Sequence, residues 1–178
     1  MSIIQIHDKQ FVTYLSADQI NVEVKRLGVS INHDYQGKTP IFIAILNGSF
    51  MFASDLFKEL TVNAEVCFIK LASYQGIKST GQVVTSIGLD QSLKDRDVIL
   101  IEDIVDTGKT LHDFLPQIVA MSPASIKVAT LLYKPDALKY PLKLDYVGFE
   151  VPNKFLLGYG LDYDGLGRNL NEIFQLMD

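Results

Sequence analysis

The residues best suited to chemistry lie in Val98–Leu111, VILIEDIVDTGKTL, where Glu102 and Asp103 are adjacent, Asp106 follows, and Thr107, Gly108, Lys109 and Thr110 come directly after. A strand that ends in acids and turns through glycine and hydroxyls into a helix presents N–H groups at the positive end of the helix dipole. That is a site for a phosphate monoester. The acids ahead of the turn suit a sugar with vicinal hydroxyls and a hard cation such as Mg²⁺. Gly108-Lys109-Thr110 copies the last three positions of a P-loop, but Asp103 stands where that loop requires its first glycine, so the P-loop reading fails.

Other chemistry is sparse. His7, His33 and His112 are scattered, and with Cys67 alone they form no zinc-type spacing. Cys67 has no partner for an internal disulfide and falls between Val66 and Phe68 in a strand-like run, so a buried, reduced thiol is expected. Arg168 is one of three arginines and follows the glycine-rich stretch holding Gly160, Gly165 and Gly167, which makes it a candidate anion contact. The net charge of −5 argues against long-range attraction to nucleic acid or anionic membrane, so an anionic ligand must be gripped locally.

The elements that must position these residues follow from periodicity. Ser16 and Gln19 form a capping-box pattern, and Ile20, Val24, Leu27 and Ile31 recur at helical spacing, so a helix is predicted over about 17–35. Ile41–Leu46 is apolar without alternation, as in a strand covered on both faces. Asn47-Gly48-Ser49 then turns into a helix up to about Leu60. Further strands are predicted at Val62–Ala72, Val98–Ile101 and Ser125–Leu132, with a helix over Lys109–Met121. This alternation favours an α/β domain with a mainly parallel sheet and a ligand site beyond the carboxyl ends of the strands. Ser73–Gln82, polar and with two glycines, is expected to be a lid. At 178 residues, with 48% hydrophobic and 21% charged positions, one globular domain is expected.

The VILIEDIVDTGKTL segment resembles the phosphoribosyl pyrophosphate signature of the type I phosphoribosyltransferases, and the rest of the chain is similar to the members that act on 6-oxopurines. The similarity runs through Leu46–Ser49 (LNGS), Ser73-Tyr74, Leu132–Lys134, Val147–Phe155 (VGFEVPNKF) and Gly158–Tyr163 (GYGLDY), and the last two strings are specific to that group. The resemblance implies the type I phosphoribosyltransferase fold, with a core of about 37–150 and a small hood built from the N-terminal segment and about 151–178. It implies transfer of a phosphoribosyl group from phosphoribosyl pyrophosphate to hypoxanthine or guanine, with Mg²⁺ as cofactor.

Carried over residue by residue, the resemblance makes Glu102 and Asp103 the holders of ribose hydroxyls and Mg²⁺, and Asp106, Thr107, Gly108, Lys109 and Thr110 the cradle of the 5′-phosphate. Asp106 would also be the general base toward purine N7. Lys134 would donate to the 6-oxo group, Phe155 would stack on the base and Leu156 would offer its carbonyl. Asp162 would join the purine site and bind a second Mg²⁺, while Asn47, Gly48 and Arg168 would contact pyrophosphate, with a cis peptide between Leu46 and Asn47. Ser73 and Tyr74 would form the lid that excludes water.

Two rivals share the fold. A nucleotide-binding RNA regulator would need a basic surface that the charge balance does not favour, and an enzyme for xanthine, adenine or orotate is disfavoured, for the last two, by Lys134 and Phe155. The apolar run Phe50, Met51, Phe52, Leu56 and Phe57 spreads over more than one helical face, which suggests a partner subunit and, with the resemblance, a homodimer or homotetramer. The longest apolar run is too short to cross a bilayer, and a cytoplasmic protein is expected.

Overall fold

The structure is a computed structural model that describes residues 2–72, 84–87 and 91–177; the Ser73–Gln82 segment, with Ser73 and Tyr74, lies outside the described residues. In chain order the elements are β1 (Ile3–Ile6), β2 (Lys9–Leu15), α1 (Ala17–Asp34), β3 (Ile41–Leu46), α2 (Phe50–Lys58), β4 (Glu65–Ala72) and β5 (Val84–Ile87). Then follow β6 (Asp97–Val105), α3 (Lys109–Ala120), β7 (Ser125–Tyr133), β8 (Tyr146–Glu150), β9 (Leu156–Leu157) and β10 (Ile173–Leu176).

The main sheet has the order β5-β4-β3-β6-β7-β8, parallel throughout except for β5 at its edge. Its central strands lack alternation because both faces are covered. Phe42 and Ala44 of β3, with Ile99 and Ile101 of β6, join the core formed with α1 and α2. Ile41, Ile43 and Ile45, with Val98 and Leu100, pack on Leu111, Phe114 and Ile118 of α3. At roughly 1.5–3 kcal/mol for each large apolar side chain removed from water, this double covering is what holds the ends of β3 and β6 rigidly in place.

Helix α1 begins as its pattern predicts, with Ser16 and Gln19 satisfying each other's backbone N–H groups, and it buries Ile20, Val24, Leu27 and Ile31. Strand β4 starts three residues later than the sequence suggests. Thr61 and Val62 donate to the Asn32 side chain, whose amide donates to the Glu59 carbonyl, so α1 claims the backbone that would have extended the strand. Cys67 is only partly covered, a correction to the buried thiol expected, because its strand lies outside β3 and carries Val66 and Phe68 exposed.

A second, antiparallel sheet of order β1-β2-β10-β9 joins both ends of the chain. Its core is Phe11, Leu157 and Phe174. This sheet places Phe155, just before β9, and the glycine-rich segment before β10 beside the carboxyl ends of the main sheet. Among the described residues no helix is long and apolar enough to cross a membrane.

Candidate active site

Strand β3 is followed by β4 on one side and, after the edge strand, β6 lies on its other side, so the strand order reverses between β3 and β6. A crevice opens at such a reversal beyond the carboxyl ends of the strands, where ligands of open α/β sheets bind. Asn47 and Gly48 leave the end of β3, and Glu102 to Asp106 end β6, so two of the segments singled out in the sequence meet at this one point. The Leu46–Asn47 peptide is cis. A Cβ on Gly48 would collide with the Asp103 carboxylate, and a Cβ on Gly160 would collide with the Gly48 carbonyl. Only glycine fits at either position, and the tight fit sets Gly48, Asp103 and Gly160 against one another.

From Glu102 onward β6 carries acids into this crevice. Glu102 is buried and its Oε2 has no hydrogen-bond partner. Burial, and secondarily the charge of Asp103, pushes its carboxyl well above the usual range. Burial also raises Asp103 to about 6; the backbone N–H groups of Asp103 and Ile104 and the Arg168 guanidinium oppose the rise, while Asp162 adds to it. Among the described residues no three acidic, histidine or cysteine side chains converge on one point. A buried carboxylate oxygen left unpartnered beside a second, destabilised carboxylate is nevertheless a donor set of the right kind for a hard divalent cation such as Mg²⁺, which completes its shell with waters and phosphate oxygens.

The turn after β6 lines a cavity of about 260 Å³ together with Glu102 and Asp103. Gly108 has φ +80°, and a side chain there would press on the Tyr140 carbonyl and Leu142, so glycine is required by both conformation and space. The Thr107 carbonyl accepts from the backbone of Lys139 and Tyr140, which fixes the outer wall of the turn. Helix α3 starts at Lys109, whose N–H donates to the Thr107 hydroxyl at 3.3 Å, and its first residues as far as Leu111 line the cavity. The Lys109 ammonium points elsewhere: it pairs with Asp113 at 2.6 Å, and Thr110 is exposed at the rim.

A second cavity of about 260 Å³ adjoins the first through Asp103, Ile104 and Asp106, and Asn47, Gly48, Lys134, Phe155, Leu156, Asp162 and Arg168 complete its walls with Leu161. Lys134 Nζ donates to Asp106 Oδ2 at 2.7 Å. The lysine is buried at the end of β7, whose parallel pairing with β6 brings Tyr133 opposite Val105 and so holds the two side chains face to face. Phe155 is 45% exposed, its ring braced edge-on by Tyr163 at 5.8 Å and at a tilt by Phe11 at 6.2 Å. Arg168 donates to the Gly160 carbonyl and pairs with Asp162 at 2.7 Å, while Asp162 also accepts from the Gly165 N–H.

Nearly all the residues expected from the sequence therefore converge on two joined cavities. Some contributors carry no signal of their own in the sequence: Gly160 and Tyr163 stand out there only within the glycine-rich stretch and GYGLDY, Phe11 braces Phe155 from another element, and Ile104 and Leu161 supply apolar wall. The alternation of Lys9–Leu15 was the available signal for the strand that carries Phe11.

Comparison with known proteins gives a consistent pattern. A family model described as a phosphoribosyl transferase domain matches residues 13–164. The chain is 39% identical over 157 residues to a hypoxanthine-guanine phosphoribosyltransferase of Lactococcus lactis, covering 88% of this chain and 85% of that one. With a Staphylococcus aureus hypoxanthine-guanine phosphoribosyltransferase the identity is 38% over 166 residues, covering 93% of each. Among solved structures, a hypoxanthine phosphoribosyltransferase from Staphylococcus aureus superposes with a TM-score of 0.88 at 38% identity, covering 93% of this chain and 91% of that one. A hypoxanthine-guanine phosphoribosyltransferase from Bacillus anthracis, with a HEPES molecule in its active site, gives 0.87 at 35% identity, covering 94% of this chain and 97% of that one.

Proposed function

The chain belongs to the phosphoribosyltransferase family, and on that premise we propose that it is a purine salvage enzyme transferring the 5-phosphoribosyl group of phosphoribosyl pyrophosphate to hypoxanthine or guanine, giving IMP or GMP and pyrophosphate. The observation that carries this reading is the Lys134–Asp106 contact of 2.7 Å in a cavity that the half-exposed Phe155 also walls. A 6-oxopurine stacked on Phe155 offers what both members of that pair need: an oxo oxygen for the lysine and an N7 proton for the carboxylate.

In the reaction the C1′–N9 bond forms as the bond from C1′ to pyrophosphate breaks, with positive charge developing on the sugar and negative charge on the leaving group. Asp106 takes the N7 proton, Lys134 donates to the 6-oxo oxygen, and Leu156 presents its carbonyl to the base edge. The N–H groups from Thr107 to Thr110 hold the 5′-phosphate at the start of α3. Pyrophosphate lies against the backbone of Asn47 and Gly48 and the guanidinium of Arg168, so its growing charge meets donors already oriented. Glu102 and Asp103 would hold one Mg²⁺ and Asp162 a second, whose charge, when bound, would offset that of pyrophosphate. The antiparallel sheet serves as the hood, carrying Phe155 over the parallel core.

The same reading makes the protein a cytoplasmic homodimer or homotetramer. Support for self-association comes from Phe50, Val66 and Phe68, each about 40% exposed, and from a cavity of about 350 Å³ that Val66 and Phe68 share with Ala53 and Phe57. Light scattering should give a particle of at least twice the chain mass; a single-chain particle contradicts the assembly. The activity is tested by a spectrophotometric assay of hypoxanthine, guanine, xanthine and adenine with phosphoribosyl pyrophosphate. Turnover of hypoxanthine or guanine with no use of adenine supports the reading, and no nucleotide from either oxopurine overturns it.

A further inference from the structure

The glycine-rich segment between β9 and β10 carries Gly160, Asp162 and Arg168, yet it has little regular structure to hold it in place. Its fixed point is Tyr159. This residue is 3% exposed and has φ +47°, a left-handed conformation that disfavours an L side chain, between Gly158 at φ +99° and Gly160 at φ +100°. Its backbone N–H donates to the Leu170 carbonyl at 2.8 Å, and its hydroxyl crosses to α2, donating to Asp55 Oδ2 at 2.7 Å. Burial and the Asp55 carboxylate raise the Tyr159 hydroxyl well above its ordinary range, so it stays a donor throughout the working pH range.

Helix α2 is itself fastened to the turn that precedes it. Ser49 is fully buried and its hydroxyl donates to the Ile45 carbonyl at 2.6 Å, while its own carbonyl accepts the Ala53 N–H. The helix holding Asp55 is therefore one body with the Asn47–Gly48 turn. On the other side, Gly160 follows Tyr159 directly, receives Arg168 on its carbonyl and faces the Gly48 carbonyl.

We propose that the Tyr159–Asp55 hydrogen bond sets the spacing between the Asn47–Gly48 turn and the Gly160–Arg168 segment, so that Tyr159 is a positioning residue for the pyrophosphate subsite. The hydroxyl touches no substrate; it locks the two halves of a grip whose donors come from segments more than a hundred residues apart in sequence. The inference rests on the phosphoribosyltransferase reading of the site and assigns a device within it.

Product inhibition by inorganic pyrophosphate, with Mg²⁺ present and phosphoribosyl pyrophosphate varied, tests this in the full-length chain. Tyr159→Phe keeps the ring and removes only the hydroxyl, and it should weaken pyrophosphate inhibition about 10-fold while leaving the KM for hypoxanthine within a factor of about two. Asp55→Ala should do the same, Asp55→Asn, which keeps an acceptor, should restore most of the loss, and the double variant Tyr159→Phe/Asp55→Ala should be no worse than either single one. Tyr159→Phe that melts like the parent and binds pyrophosphate equally well, or that raises the KM for hypoxanthine as much as it weakens pyrophosphate, overturns the proposal and leaves the enzymatic reading intact. If the parent chain forms no nucleotide from hypoxanthine and phosphoribosyl pyrophosphate, the enzymatic reading fails, and this inference with it.

Discussion

Lys134 and Asp106 hold each other at 2.7 Å in the wall of the cavity that Phe155 also lines, with the lysine buried and the carboxylate nearly half exposed. In the proposed reaction each would be the other's stand-in for a substrate atom. A base that enters must part them and replace the contact with an oxo group on one side and an N–H on the other. The pair thus imposes a requirement on the ligand: a base with an amino group at that position offers Lys134 no acceptor and leaves a buried cation unpaired, which is a costly mismatch.

The two members of the pair should fail differently. Lys134→Ala removes a binding donor and should raise the KM for hypoxanthine about tenfold or more with a smaller change in kcat. Asp106→Ala removes the base and should lower kcat by roughly 10²-fold or more. Steady-state kinetics on both variants checks this; an unchanged kcat in Asp106→Ala removes the role given to that residue.

Gly48 tolerates no side chain, because a Cβ there meets the Asp103 carboxylate. Gly48→Ala should lower kcat/KM by about 10²-fold, since a shift of about 1 Å in a positioning group is enough for such a loss. Gly37→Ala is the comparison: its Cβ would meet nothing within 4 Å, and its φ of +75° confines the effect to stability. Activity in Gly48→Ala equal to that in Gly37→Ala would refute the placement of pyrophosphate at this turn.

At the opposite, amino-terminal end of the sheet, Asp34 accepts from Lys127 at 2.8 Å and from Tyr146 at 2.7 Å. The Lys127 ammonium first, then the Tyr146 hydroxyl and His33, hold its carboxyl well below the ordinary value of 3.8. A depressed carboxylate contributes stability above its unfolded value and loses it as pH falls toward the folded one. Asp34→Asn should therefore lower Tm at neutral pH, and the gap from the parent should narrow below about pH 4. Melting curves across pH read this directly, and a gap that widens in acid contradicts it.

Removing divalent cations should abolish turnover and restoring Mg²⁺ should recover it, because Glu102 presents a buried carboxyl oxygen with no hydrogen-bond partner beside the Asp103 carboxyl, which burial destabilises as an anion. An assay with excess EDTA followed by titration with Mg²⁺ checks the point. Full activity in EDTA would sink the metal assignment.

The sequence disclosed the central strands and the phosphate turn well because their signals are local: an apolar run with no alternation at Ile41–Leu46, and acids, glycine and hydroxyls within a dozen residues at β6 and α3. Lys134 and Phe155 were reachable only through family resemblance, since a lone lysine or phenylalanine carries no spacing signal. What stayed hidden depends on distance in the chain. The collision that forces Gly48 involves Asp103, the Tyr159–Asp55 contact spans 104 residues, and the brace on Phe155 comes from Phe11 at the other end of the chain. The late start of β4 likewise arises from Asn32 on another element, which no pattern inside Val62–Ala72 announces.

The most direct measurement is a crystal structure with IMP bound. The 5′-phosphate should lie on the N–H groups from Thr107 to Thr110, the Lys134–Asp106 contact should be opened, and the base should stack on Phe155 with its 6-oxo oxygen on Lys134. Nucleotide bound elsewhere, with the turn after β6 empty and Lys134 still on Asp106, would contradict it.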